Sequence, residues 1–360
     1  MQPDFTEAYV ALLGVHMQAQ AFDQAIDVAT KLLTVQPQYG PAHLALGQAH
    51  LRKGALPKAL AAVRTAIERS PQEASGPYLL GVIQRRQRKD QEAFAAFEQA
   101  LSLHPERVDA LRQMADIWIA NGQPEKAVER VRRQVHTVPQ SAVLHNLLGH
   151  VLQAQGRSQE AEQVLKQAID LEPNLFDAYL ALGALYAQNR QYDQAVAQYE
   201  SVLQSRPDLL APYGVLGLLY GLQNNPQKAN TYYQKALKID PKYALAANNL
   251  AWNYAEYGGN LDEALALART ARELMPQHPD VTDTLGWIYY KKADYERALA
   301  LLKESVAAKG DSPLGRYHLG MTYYKQGQSA RAKAELQHAL QLAPQFPGAD
   351  EARAVLATLQ

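Results

Sequence analysis

The sequence predicts an all-α fold, a solenoid of ten consecutive helical hairpins closed by a C-terminal capping helix. Three observations carry that prediction. Pro37, Pro71, Pro105, Pro139, Pro173, Pro207 and Pro241 follow one another at intervals of 34 residues. Alanine recurs in step with them at Ala25, Ala59, Ala93, Ala127, Ala161, Ala195, Ala229, Ala264, Ala298 and Ala332. A leucine or methionine, usually followed by a small residue, recurs in the first half of every unit. A fixed period of this length marks a repeat architecture, in which each unit buries its apolar face on its neighbours.

The units run 6–39, 40–73, 74–107, 108–141, 142–175, 176–209, 210–243, 244–278, 279–312 and 313–346. The eighth is one residue longer because Gly258-Gly259-Asn260 extends its turn, and in the ninth Gly310 stands where the others have proline. Position 7 holds Leu12, Leu46, Leu80, Met114, Leu148, Leu182, Leu216, Leu250, Leu285 and Leu319. Position 8 holds Gly47, Gly81, Ala115, Gly149, Gly183, Gly217, Ala251, Gly286 and Gly320, with Leu13 the exception. Glycine inside a helix costs about 1 kcal/mol relative to alanine and is kept where two backbones approach. Position 8 and the alanine at position 20 therefore predict close contact between the two helices of a hairpin. Larger residues at positions 11 and 24, such as Tyr220, Tyr289, Tyr323, Phe97 and Tyr233, fill the space beside them. Proline at position 32 cannot continue a helix and ends the second one. Turns such as Lys53-Gly54, Asn121-Gly122 and Gln155-Gly156 separate the two helices. Residues 347–360 read as a helix covering the apolar side of the last hairpin. Pro3 falls in phase with position 32, so residues 1–5 read as the tail of an upstream repeat, and a longer native protein is expected.

First helices of the LxxLGxxY type, Ala at position 20 and Pro at position 32 resemble the tetratricopeptide repeat family, with FDAYLALGALYAQNRQYDQAVAQYESVLQSRPDL (176–209) the nearest to its pattern. The resemblance covers nearly the whole chain. It implies a right-handed superhelix whose first helices line a concave groove.

Composition narrows the function. Thirty-six basic residues balance 36 acidic ones, which removes the broad attraction that a nucleic-acid binder needs. The longest apolar stretches fall short of the roughly 20 residues that span a bilayer, so no insertion of this segment in a membrane is expected. The absence of cysteine excludes disulfides and thiolate chemistry and fits either cytosol or periplasm. Nothing at the start resembles a signal peptide. No HExxH, phosphate loop or Gly-x-Ser-x-Gly occurs, and the acids form no convergent pair. His16, His43, His50 and His145 sit at core positions 4 and 11 and read as structural. The expectation is a binding protein without catalytic residues, metal or cofactor.

On the first helix, positions 2, 5, 9 and 12 form one stripe opposite the core stripe. In repeats eight to ten this stripe and its flanks carry Asn248, Asn249, Trp252, Asp283, Thr284, Trp287, Tyr290, Lys291, Tyr317, His318, Met321, Tyr324 and Lys325. Aromatic platforms beside amides and charges suit a peptide or protein, or a polysaccharide; the alternative is packing of Trp252 and Trp287 between neighbouring first helices. In repeats six and seven Leu180, Ala184, Ala187, Gly214, Leu218 and Gly221 form a small apolar stripe that could seat an apolar segment, although closure by tight winding is the favoured expectation. Arg85, Arg86 and Arg112 belong to a local basic excess, a secondary surface for acidic partners or, more simply, solvated helix faces.

The family's carboxylate clamp and the asparagine ladder of sugar-transferase repeat domains are both missing. Residues 248–306, 316–340 and 346–359, beginning NNLAWNYAEYGGNLDEA, are similar to the C-terminal end of bacterial tetratricopeptide lipoproteins that accompany the PEP-CTERM/exosortase system. That resemblance implies a periplasmic, lipid-anchored full-length protein linked to exopolysaccharide production. A protein-binding scaffold, a carbohydrate-binding module and a substrate-selecting arm of a larger enzyme all fit these residues.

Overall fold

The structure is a computed structural model that describes residues 3–359, with side chains from Thr6 to Leu359. Among the described residues all regular structure is helical. The first unit, Met1–Leu185, contains α1 (Pro3–Gln18), α2 (Phe22–Val35), α3 (Gly40–Arg52), α4 (Leu56–Arg69), α5 (Ser75–Arg86), α6 (Asp90–Leu103), α7 (Val108–Ala120), α8 (Pro124–Thr137), α9 (Ala142–Ala154) and α10 (Ser158–Leu171). Helix α11 (Phe176–Gln188) crosses the dividing point. The second unit, Tyr186–Gln360, contains α12 (Tyr192–Ser205), α13 (Leu210–Leu222), α14 (Pro226–Ile239), α15 (Ala244–Glu256), α16 (Leu261–Leu274), α17 (Pro279–Lys291), α18 (Tyr295–Ala308), α19 (Pro313–Lys325), α20 (Ser329–Leu342) and α21 (Ala349–Thr358). The tail expected at residues 1–5 falls outside the residues described in full.

Each unit is built in the same way. From α1 to α10, and again from α12 to α21, every helix packs on the next in sequence. First helices of successive hairpins also meet, α3 on α5 and α7 on α9 in one unit, α13 on α15, α15 on α17 and α17 on α19 in the other. Helix α21 touches both α19 and α20, the position that the first helix of a further hairpin would take.

The repeat residues explain the closeness. All ten alanines at position 20, from Ala25 to Ala332, have 0% exposed surface. Where position 8 is glycine, a side chain has little room. A Cβ added to Gly81 would lie 2.5 Å from the Phe97 ring, and one on Gly217 would lie 2.3 Å from the Tyr233 ring. The same pairing recurs between Gly47 and Val63, Gly149 and Leu165, Gly286 and Leu302, and Gly320 and Leu336. The position-24 side chain thus rests on bare backbone of the first helix, and burial of one such ring contributes roughly 2–3 kcal/mol.

Position 7 packs toward the preceding hairpin: Leu80 joins Leu51 and Ala59, and Leu285 joins Ala264 and Ala268. In α1 that side has no preceding hairpin among the described residues. Leu12 is accordingly exposed, while Leu13, the large residue at position 8, is buried.

Reversal within each hairpin requires one left-handed residue at position 15. Gly54, Gly122, Gly156, Gly258 and Gly327 supply it in five hairpins, and Gln20, Arg88, Arg190, Asn224 and Ala293 in the other five. In the turn after α17 the amide of Asp294 donates to the carbonyl of Tyr289 at 2.9 Å and that of Ala293 to Tyr290 at 2.9 Å, a Schellman closure. Outside glycine the left-handed conformation costs roughly 1–2 kcal/mol.

Two substitutions test this reading in opposite directions by urea denaturation. Gly81→Ala should lose about 1–3 kcal/mol, because the fully buried Phe97 ring cannot yield. Ala293→Gly should gain about 0.5–1 kcal/mol, the relief of φ exceeding glycine's entropy cost. Reversal of either sign contradicts the packing or the turn assignment.

Candidate partner-binding face

The stripe expected to be open in repeats eight to ten is largely closed. Trp287, Tyr317 and Met321 are buried, at 3%, 4% and 2% exposure. Asn248, Asp283, Thr284 and His318 are buried with them. Asn249, Trp252, Tyr290 and Tyr324 are half-buried, and Lys291 and Lys325 are exposed. Helix α21 contributes at the end of the face, its Ala352 and Val355 joining Trp287, Tyr317, Met321, Leu336 and Ala339 in one cluster; elsewhere the first helices cover one another.

Trp287 is the centre of that cluster. Tyr290 stacks on it at 4.4 Å between centroids and 5° between planes, and His318 stacks at 4.0 Å and 19°. Its indole Nε1 donates to Glu256 Oε1 at 2.6 Å, and Lys291 Nζ reaches the same carboxylate oxygen at 3.2 Å. Lys291 also lies 5.0 Å from the indole centroid, within cation–π range. His318 Nδ1 meets Asp283 Oδ2 at 2.8 Å, joining α19 to α17 in a buried pair. The Tyr317 hydroxyl donates to Glu351 Oε2 at 2.6 Å, joining α19 to α21. Asn249 donates to the Tyr233 hydroxyl at 3.3 Å and accepts from Asn248 at 3.2 Å. The Thr284 hydroxyl donates to the Asp280 carbonyl at 2.9 Å. Apart from the Asn248–Asn249 and Thr284–Asp280 bonds, which stay within α15 and α17, these hydrogen bonds and ion pairs tie one helix to another. Glu256 and Glu351, which hold two of the aromatic side chains, were invisible to a stripe-by-stripe sequence reading because each partner lies 31 or more residues away.

The exposed apolar side chains of this face lie on α13 and at the start of α15. On α13, Leu218 and Leu222 are each 52% exposed, and on α15 Leu245 is 48% exposed. Closure of the small apolar stripe is therefore overturned for Leu218 and for Gly221, which is also exposed; Leu180, Ala184, Ala187 and Gly214 are half-buried, Gly214 against the Tyr243 hydroxyl. Leu222 and Leu245 went unmarked in the sequence, although thirteen residues of α13 without a charge are a readable signal.

In the first unit the basic excess is mostly paired. Arg85 Nη1 donates to Gln113 Oε1 at 2.5 Å and lies 3.4 Å from Asp116. Arg86 donates to the Leu51 carbonyl at 3.0 Å. Arg130 grips Glu98 through Nε and Nη2 at 2.6 and 2.8 Å. Arg112 is exposed, and its charge together with burial holds His150 below the ordinary histidine range, burial being the larger cause. The more exposed Arg85–Asp116 pair is worth about 0–1 kcal/mol, whereas Arg130 is buried. Among the described residues no three His, Asp or Glu side chains converge as metal ligands, and no helix is long and apolar enough to cross a membrane.

Models described as tetratricopeptide repeat match residues 11–74, 86–151, 174–242, 222–288, 257–316 and 289–359, and one described as TPR repeat matches 149–190. No curated protein sequence is significantly similar to the chain. Among solved structures, the chain is similar to one in the APC/C hetero-tetramer Cut9-Hcn1, with 13% identity, TM-score 0.56 and 100% of this chain aligned on 96% of that one. It is also similar to a tetratricopeptide repeat protein from Parabacteroides merdae, with 18% identity, TM-score 0.51 and 70% of this chain aligned on 98% of that one.

The buried phenols predict how the second unit responds to alkali. Burial pushes Tyr290 and Tyr233 up to about 12. Burial and the hydrogen bonds to Glu200 and Glu351 raise Tyr232 and Tyr317 further. Raised values in the folded state mean that this stabilisation is complete below the unfolded phenol value of about 10 and is lost as pH climbs past it. Tm should stay flat to about pH 10 and then fall steeply toward 12, and Tyr290→Phe with Tyr317→Phe should flatten that fall. An unchanged slope in the double variant would contradict it.

Proposed function

The chain belongs to the tetratricopeptide repeat family, and from that premise we propose that it is a non-catalytic scaffold holding a peptide or protein partner on the first-helix face of the Tyr186–Gln360 unit. One observation carries this. After α13, α15, α17 and α19 have packed, Leu218, Leu222 and Leu245 are left exposed on this face and Trp252, Tyr290 and Tyr324 half-buried. Lys291 and Lys325 stand exposed beside them at the ends of α17 and α19. Aromatic and apolar anchors with a polar rim are the anatomy of a recognition surface. The similar Cut9-Hcn1 structure is itself a hetero-tetramer, which supports assembly as a use of this fold.

The periplasmic, lipid-anchored setting and the link to exopolysaccharide belong to this proposal on sequence resemblance alone. A sugar-stacking role is less well supported, because both faces of Trp287 are already covered by Tyr290 and His318. Of the two indoles of the candidate stripe, only Trp252 keeps part of its surface open.

Peptides selected from a displayed library on the full chain test the proposal. Trp252→Ala with Tyr324→Ala should weaken a selected peptide at least tenfold while leaving the chain folded, whereas Trp287→Ala should cost about 3–5 kcal/mol of stability. Selected peptides indifferent to Trp252 and Tyr324, or oligosaccharides quenching tryptophan where peptides do not, would contradict it.

A further inference from the structure

We infer that the outer side of α13 is a docking surface for a short, uncharged, apolar segment of a partner protein. This rests on the scaffold role and specifies where along the face the guest lies and what chemistry it brings. Helix α13 has no charged residue in its 13 positions. Its inner side is filled by Tyr213, Leu216, Leu219 and Tyr220, with Gly217 beneath the Tyr233 ring. Its outer side presents Leu218, Gly221 and Leu222 to solvent. A helix that is hydrophobic all round is one that is covered all round, and in this chain the cover is missing on that side.

Gly221 sharpens the point. A Cβ there would meet nothing within 4 Å, and its φ is not among the positive ones. Neither packing nor backbone conformation within the chain calls for glycine, while helix propensity opposes it. Its neighbour Gly217 shows the contrast, because a Cβ there would collide with Tyr233 at 2.3 Å. A close approach from outside gives Gly221 a purpose: the guest's backbone lies in the notch between Leu218 and Leu222, with Leu245 of α15 extending the apolar floor.

Area and charge decide what the guest is. Three half-exposed leucines and a glycine offer on the order of 300 Å², well short of the roughly 800 Å² per partner that a stable dimer buries. The surface therefore suits a segment of a few residues, not a second copy of the chain. A charged side chain placed over α13 would lose its hydration without a partner, and each such loss is costly. The guest is uncharged where it meets this helix.

A displayed library of random nine-residue peptides, selected on the full chain, tests this. Enriched peptides should carry a run of three or more uncharged apolar residues. Gly221→Leu should weaken a selected peptide at least tenfold. Gly221→Ala should weaken it while raising Tm by about 2 °C, a combination that a purely structural glycine would not give. The Cβ of either variant meets nothing within 4 Å, and circular dichroism checks that both fold. Selected peptides that bind Gly221→Leu as they bind the wild type, or that require a charged residue over α13, overturn the inference. If binding depends on Trp252 and Tyr324 but not on residue 221, the inference falls and the scaffold role stands. If the wild-type chain selects no peptide, both fall.

Discussion

The distance between the two helices of a hairpin governs this molecule. Alanine at position 20 is sealed in every unit, and glycine or alanine at position 8 leaves the first helix bare where the position-24 side chain lands. A single methyl group at Gly81 or Gly217 would meet a buried ring at under 3 Å. Close-packed interiors transmit such intrusions because neighbours have nowhere to go. With the spacing fixed, one side of each first helix is committed to its own second helix and to the preceding hairpin. The opposite side is what the chain has left to offer.

Much of this was written plainly in the sequence. Periodic Pro, Ala and Gly mark boundaries, turns and contact points because each acts through backbone sterics, which local sequence controls. Five left-handed turn residues escaped notice for the converse reason. Gln20, Arg88, Arg190, Asn224 and Ala293 adopt φ near 60° because the hairpin around them closes only that way, and tertiary closure overrides the preference of a single residue. Leu12 illustrates a boundary effect, since its position is apolar for a neighbour that only later repeats possess among the described residues.

The site was less legible than the fold. A stripe drawn at positions 2, 5, 9 and 12 correctly groups residues on one side of a helix, yet it does not say which of them the next helix will cover. Trp287, Tyr317 and Met321 fall under α21 and under each other, while Leu218 stays out in the solvent. Burial of an aromatic depends on contacts with Glu256, His318 and Glu351, all made between different helices. Those pairings come from stacking geometry, and no helical period within one repeat encodes them. The result is a second unit with a rigid, cross-tied end beside α21 and an uncharged, uncovered helix further back at α13.

That contrast within one unit is directly measurable through its two indoles. With Trp118 replaced by phenylalanine, single-tryptophan chains retaining Trp252 or Trp287 can be titrated with acrylamide. Nested hairpins capped by α21 predict that Trp252 is quenched at least threefold more strongly than Trp287, whose exposure is 3%. Equal quenching of the two would mean that the first helices do not stack as described, and that the division between sealed and open parts of the face is wrong.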